Sequence, residues 1–250
     1  MEILELKQND QVVGKMTIQN QTEQKAELCF YGDIVSSLWD KWACDDVCPQ
    51  DVSDFLKHLD GSRNIDVYIN SGGGSVFAGI AIYNQLKRHD GFITVHVDGL
   101  AASIASVIAM AGDRIIVPKS AQLMIHKPWG YTMGNADDFL KMAEALENCQ
   151  KSITAIYMEK VRKNVTEEEM TEKINDETWM TGEKAAEIFE IEVEEQGEIA
   201  ACTSQYFGRY NHLPEIFKNK PPKAPGVPEE NHKALALLKA KLAIASASPF

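Results

Sequence analysis

Apolar and polar positions switch between two periods along the middle of this chain. Ile65–Asn70 is a short, β-branched, largely apolar run and predicts a buried strand. Val76–Arg88 then places Val76, Ile80, Tyr83 and Leu86 at three- and four-residue steps, which predicts a helix with one apolar face. Phe92–Val97 predicts a strand, Ser103–Ala111 a helix of small residues, and Arg114–Val117 and Gln122–Ile125 two further strands. Strands alternating with helices imply βαβ units, a mostly parallel sheet and helices over its faces, hence an α/β fold.

The flanks are less regular. Residues 1–34 predict short strands with turns at Asn9-Asp10 and Asn20-Gln21. A loop carrying Trp39 and Trp42 precedes a helix expected over Asp51–Leu59, capped by Asp51 or Ser53. Residues 135–162 form the longest helical pattern, with Phe139, Met142, Leu146, Cys149, Ile153 and Ile156 in one stripe. That stripe is expected to pack on the core. The helix is longer than a compact domain needs, so part of it is expected to protrude and meet another subunit. Two shorter helices are predicted over Asn164–Ile174 and Gly182–Phe189, the second capped by Thr181.

Composition changes near residue 205. Pro221, Pro222, Pro225 and Pro228 exclude a regular helix or central strand there. Beyond them Leu235, Leu238, Leu242 and Ala245 return at helical spacing. The expected organisation is a main domain over 1–204, a Pro-rich linker over 205–230 and a short amphipathic helix over 231–250. That last segment reads equally as a frayed tail or as a docking helix for a partner or sister subunit.

Charge narrows the partners. The chain has 250 residues and a net charge of -12. Phosphate binding needs clustered Lys and Arg, so nucleic acid is not expected as the main partner. Residues 164–200 hold 13 acidic side chains against two lysines, which reads as a solvated acidic surface. Five cysteines lack framework spacing, which points to a reducing compartment. Cys44 and Cys48 flank Asp45 and Asp46, but no second ligand pair follows, so no metal is expected. The N-terminus has no basic stretch leading into an apolar core, and no apolar run approaches the ~20 residues of a membrane span. A soluble, cytoplasmic protein is expected.

The candidate chemistry lies in three segments, each just after a predicted strand, where ligand sites of such sheets collect. Asn70-Ser71-Gly72-Gly73-Gly74-Ser75-Val76 lacks the Lys and Ser or Thr that a phosphate-binding loop places after its last glycine, and its glycines lack dinucleotide spacing. Alone it is a tight turn. Beside a downstream Ser and His, its backbone N–H groups can face a developing negative charge. Ser103, in Gly99-Leu100-Ala101-Ala102-Ser103-Ile104-Ala105, reads either as a helix cap or as a nucleophile among small residues that let a substrate approach. In the second reading Gly74 and Ile104 supply the oxyanion-binding N–H groups. His126, in Met124-Ile125-His126-Lys127-Pro128, is then the base.

These segments resemble the proteolytic subunit of the Clp protease (ClpP). That family carries its nucleophile in Gly-x-Ala-Ala-Ser, its base in Met-Ile-His-x-Pro and its oxyanion glycines in Asn-Ser-Pro-Gly-Gly. Here they occur in the same order, with Gly72 in place of the usual Pro, 29 residues from Gly74 to Ser103 and 23 from Ser103 to His126. The resemblance runs from about Tyr31 to about Glu195. It implies the ClpP/crotonase-like spiral of βαβ units, a serine endopeptidase activity without a cofactor, and a ring of identical subunits. It does not imply an ATPase chaperone. The family's triad acid precedes a segment similar to Trp179-Met180-Thr181-Gly182-Glu183-Lys184-Ala185, which places Glu177 in that role, with Asp176 as runner-up. If both are surface acids, the site works as a dyad.

Three features resemble the head maturation (prohead) proteases of tailed phages. They are Tyr31-Gly32-Asp33-Ile34 with its Trp-containing insert, Glu177-Thr178-Trp179, and the Pro-rich extension. They imply a capsid or scaffold protein as substrate. Other readings stay open at this level: a general ClpP-like peptidase, a crotonase-like acyl-CoA enzyme, a Ser–Lys hydrolase using Lys119, or a non-catalytic capsid-assembly factor.

Overall fold

The computed structural model describes residues 25–59, 64–195, 202 and 204–218, and the backbone of 2–8 and 11–18. The chain opens with an antiparallel hairpin of β1 (Glu2–Gln8) and β2 (Gln11–Ile18). β3 (Lys25–Phe30) then enters the main sheet, followed by α1 (Pro49–Lys57), β4 (Asn64–Ser71), α2 (Val76–Lys87), β5 (Ile93–Ala102), α3 (Ile104–Ala109), β6 (Arg114–Pro118) and β7 (Gln122–Ile125). α4 (Ala136–Met158), α5 (Glu167–Asn175), β8 (Thr178–Thr181), α6 (Gly182–Ile188), β9 (Glu192–Glu194) and α7 (Glu215–Lys218) complete the order. The sheet runs β3-β4-β5-β6-β9, all parallel, and β7 pairs parallel to β5 and antiparallel to β8.

Apolar residues alternate with polar ones along most of β4 and β5, so one face of each strand is turned to the core. Ile65, Val67 and Ile69 of β4 and Val95, Val97 and Leu100 of β5 are all buried. Ala78, Ile82, Tyr83 and Leu86 of α2 and every residue of α3 pack into the same core. Leu86 is fully buried, so Leu86→Ala would cost about 2–5 kcal/mol.

Where the elements depart from the sequence expectation, tertiary contacts explain the change. β5 reaches Ala102 rather than Val97. Asp98, Gly99, Ala101 and Ala102 are weak strand formers, yet pairing with β4 on one side and β7 on the other holds them extended. The helix expected from Ser103 begins at Ile104, with Ser103 at the N-cap position and no side-chain capping bond. The cap of α1 is Cys48 rather than Asp51 or Ser53. Asp51 stands three residues in and accepts from Cys48 N–H at 2.7 Å. Thr181 caps α6 as expected.

α4 has 23 residues, a rod of about 34 Å. Only its C-terminal half joins the core, through Cys149, Ile153, Thr154, Ile156 and Tyr157. The predicted stripe does not pack along its full length: Phe139 is 55% exposed, and its neighbour Leu140, outside the stripe, 69%. The compact unit also continues to Phe217, past the expected boundary at residue 204. The reason is a second apolar cluster, in which Cys202 and Tyr210 are buried against Leu100, Ala102 and Met124. The Pro-rich stretch beyond Lys218 and the amphipathic segment over 231–250 lie outside the described residues.

No helix among the described residues is long and apolar enough to cross a membrane. The same residues contain no group of three or more His, Cys, Asp or Glu that could hold a metal ion. Near Cys44 and Cys48, Asp46 is bound to the loop itself, accepting from the N–H groups of Asp33, Trp42 and Ala43.

Candidate active site

Strand register brings the candidate residues together. β5 pairs with β7 through Leu100–Gln122, Ala101–Leu123 and Ala102–Met124, so Ser103 leaves β5 one step before His126 leaves β7. β7 pairs with β8 in antiparallel register, ending at Ile125–Thr178. One step further, His126 and Glu177 stand opposite each other. Directly opposed residues have Cβ atoms about 4.5–5.5 Å apart in such a ladder. Thus three strand ends, distant in sequence, deliver a hydroxyl, an imidazole and a carboxylate to one place.

Ser103 occupies an elbow between β5 and α3. Its φ of 56° and ψ of -128° fall where residues with a side chain rarely go. Such a conformation persists only if its surroundings hold it. Ser103 N–H donates to Met124 O at 2.9 Å. Ser106 Oγ lies 2.6 Å from Ser103 O and 2.7 Å from Tyr157 Oη. With one proton on each hydroxyl, Tyr157 donates to Ser106 and Ser106 donates to Ser103 O. Tyr157 is fully buried, and that burial pushes its phenol pKa up despite the bond to Ser106. Neither Ser106 nor Tyr157 stands out in the sequence, because a supporting hydroxyl carries no motif.

His126 Nε2 lies 2.7 Å from Ser103 Oγ. A neutral imidazole can accept the serine proton at that distance. Burial lowers the His126 pKa below its ordinary 6.5, against the opposing charge of Glu177. The base is therefore neutral at pH 7.

The glycine run passes directly over Ser103. Gly73 and Gly74 have φ of 96° and 149°. A Cβ on Gly73 would come 2.8 Å from Ser103 Cβ, and one on Gly74 would come 2.0 Å from Ile34 O. Ile34 N–H donates to Gly73 O and Ser75 N–H donates to Ile34 O. This bridge uses the groups on either side of Gly74, so Gly74 N–H points away from Ile34, toward the β5 side of the run. Ile104 N–H is the first of α3, where a helix leaves its donors without internal partners. Among the described residues no backbone acceptor takes either the Gly74 or the Ile104 N–H.

Glu177 is buried at 7% exposure and has φ of 51°, a left-handed residue following the end of α5. Asp176, beside it, is exposed. Glu177 shares no hydrogen bond with His126. Its Oε1 accepts from His212 N–H at 2.7 Å and Trp179 Nε1 at 3.3 Å. Its Oε2 accepts from Asn211 N–H at 2.8 Å and Asn211 Nδ2 at 2.9 Å. Burial raises its pKa, but these bonds, His212 and Asn211 foremost, outweigh it and hold the carboxyl below its usual 4.5. Tyr210 completes the arrangement, its ring edge-on to His126 with centroids 5.2 Å apart. Residues 210–212 fall in the stretch whose composition reads as a linker, and no periodicity announces them.

A Clp protease family model matches residues 35–189. Among curated relatives, the chain is 32% identical over 136 residues to the ATP-dependent Clp protease proteolytic subunit of Bacteroides fragilis, covering 53% of this chain and 64% of that protein. It is 35% identical over 137 residues to the subunit of the same name from Porphyromonas gingivalis, covering 53% of this chain and 60% of that protein. It is 40% identical over 105 residues to the one from Ligilactobacillus salivarius, covering 41% and 53%. The chain thus spans a little over half of the length of these relatives. The matched region contains the glycine run, the Ser103 elbow, His126 and Glu177, on a mostly parallel sheet, and the chain belongs to the Clp protease family.

Proposed function

We propose that this protein is a serine endopeptidase in which Ser103 is the nucleophile and His126 the general base. The observation that carries the reading is the 2.7 Å approach of Ser103 Oγ to His126 Nε2, beside the open N–H groups of Gly74 and Ile104. Ser103 attacks a peptide carbonyl as His126 takes its proton. The Gly74 and Ile104 N–H groups stabilise the oxyanion, and one such donor is worth roughly 2.7–4 kcal/mol in the transition state. His126 then protonates the leaving amine, and water, activated by the same imidazole, releases the acyl-enzyme. In the working enzyme Glu177 accepts from His126 Nδ1–H and stabilises the imidazolium. The hydrolysis consumes no nucleotide.

The reading extends to a cytoplasmic ring of identical subunits that cleaves capsid or scaffold protein during phage head maturation. Two features support it. The exposed apolar positions of α4, Phe139 and Leu140, suit burial against a sister subunit. The Trp-bearing insert after Tyr31-Gly32-Asp33-Ile34 and the Glu177-Thr178-Trp179 segment resemble the prohead branch.

The test is cleavage of a tailed-phage capsid or scaffold protein by the wild-type chain and by Ser103→Ala. The wild type should cut and Ser103→Ala should not, while both unfold at the same urea concentration. Undiminished cleavage by Ser103→Ala would sink the mechanism. Sedimentation showing only monomer would sink the ring.

A further inference from the structure

We propose that residues 204–217, with Cys202, are an autoinhibitory strap that occupies the substrate edge of the active site and must leave before the chain can cut. The proposal rests on the serine peptidase reading of Ser103 and His126.

The strap satisfies the groups a substrate would use. The C=O of Gly72 accepts from Tyr210 Oη, and beside it Cys202 Sγ donates to Asn70 O at 3.5 Å. An extended peptide docks on a protein by pairing with such exposed backbone groups. The carbonyls of Asn70 and Gly72 are therefore spent on the chain itself. Tyr210 is buried over the catalytic pair, its ring edge-on to His126.

The strap also withholds the acid. An ionised carboxylate offers about four acceptor positions. Four hydrogen bonds reach Glu177, and three of them come from Asn211 and His212. His126 faces Glu177 in register and gets none of that capacity. A segment that merely supported catalysis would leave the acid one acceptor for the imidazole.

The strap is fitted in place rather than resting there. A Cβ on Gly72 would come 2.3 Å from Ser204 Cβ, so the absence of a side chain at Gly72 makes the room that Ser204 fills. Ser204 Oγ donates to Asp33 at 2.5 Å. Phe217 packs at a tilt against both Phe207 and Trp179, with ring centroids 5.6 and 6.0 Å apart. These ring anchors are only partly buried. Partial burial of the anchors is what a segment needs if it is to be displaced.

The experiment compares the full-length chain with Phe207→Ser/Phe217→Ser, which removes the anchors and leaves Ser103, His126 and Glu177 intact. Two readouts are taken: the rate at which a fluorophosphonate probe labels Ser103, and the pKa of His126 by NMR. A strap closed for more than about nine-tenths of the time lowers the effective site concentration tenfold. Labelling should therefore rise about tenfold or more in the variant, and the His126 pKa should rise as Glu177 becomes its partner. An unchanged His126 pKa overturns the strap, whatever the labelling does, and so does slower labelling. If no chain is labelled but the His126 pKa rises, the strap stands and the nucleophile assignment falls. Gly72→Ala, which displaces Ser204 from the opposite side, gives the same two readouts should the double variant fail to fold.

Discussion

His126 and Glu177 face each other one step beyond the last pair of the β7–β8 ladder, yet no hydrogen bond joins them. The register sets an imidazole opposite a carboxylate, and Asn211 and His212 occupy the carboxylate's acceptors. The relationship can be measured from either side, through the acid, the base, the elbow or the strap.

The acid should matter only once it is free. Amide substitution of a triad carboxylate costs about 10⁴ in kcat in a working serine protease. Glu177→Gln in the Phe207→Ser/Phe217→Ser background should therefore lower peptide turnover by roughly 10²–10⁴ with little change in KM. Asp176→Asn in the same background should change neither. Steady-state kinetics on a fluorogenic peptide checks both, and a full loss with Asp176→Asn would reverse the assignment.

The elbow should show a conflict between stability and function. Ser103 holds a backbone conformation that costs about 1–3 kcal/mol for a residue with a Cβ. Glycine is free of that cost but loses more entropy on folding. Ser103→Gly should be inactive and more stable than Ser103→Ala by about 1 kcal/mol in urea unfolding. A less stable glycine variant would mean that the elbow stores no strain.

The buried hydroxyl pair under the elbow should be needed for its position. Tyr157→Phe leaves Ser106 without its buried donor, which typically costs about 1–3 kcal/mol. The midpoint of urea unfolding should fall with no change in slope. Probe labelling of Ser103 should slow, because Ser106 is then held only by the carbonyls of Ser103 and Met124 that share its proton. Labelling at the wild-type rate would restrict Ser106 and Tyr157 to a packing role.

Acid should act through two groups in separate windows. The folded pKa of His126 lies below 6.5, so the unfolded chain binds that proton more readily. Stability from this group is complete above pH 6.5 and declines as pH falls through the window below it. The acid limb of Ser103 labelling should likewise lie below 6.5. The folded pKa of Glu177 lies below 4.5. Its contribution is present above pH 4.5 and is lost as pH falls through that lower value. Protonation there also takes the charge from the acceptor of Asn211 and His212 and weakens those bonds, so strap opening, read by Trp179 fluorescence, should accompany this second window only. Opening between pH 7 and 6 would contradict the Glu177 anchor.

Local pattern made the centre of the fold legible. β-branched runs at Ile65 and Arg114 and the apolar face of α2 carry their periodicity in a few adjacent residues. The spacing of Gly74, Ser103 and His126 was legible for the same reason, since each follows a strand and brings its chemistry in a short motif. β8 and β9 were not, because strands of four and three residues owe their form to pairing with β7 and β6 rather than to their own composition.

What the sequence determined is which residues bear the chemistry: a hydroxyl, an imidazole, a glycine run and a candidate acid. The tertiary structure decided how they meet. Only the β5–β7–β8 register sets Ser103, His126 and Glu177 in one line, because register is fixed by pairing across strands far apart in the chain. Only packing placed Tyr210, Asn211 and His212 on that site. Their segment has no periodic pattern, and its fit depends on the gap at Gly72 and the acceptors of Glu177, neither of which a linear reading connects to residue 210.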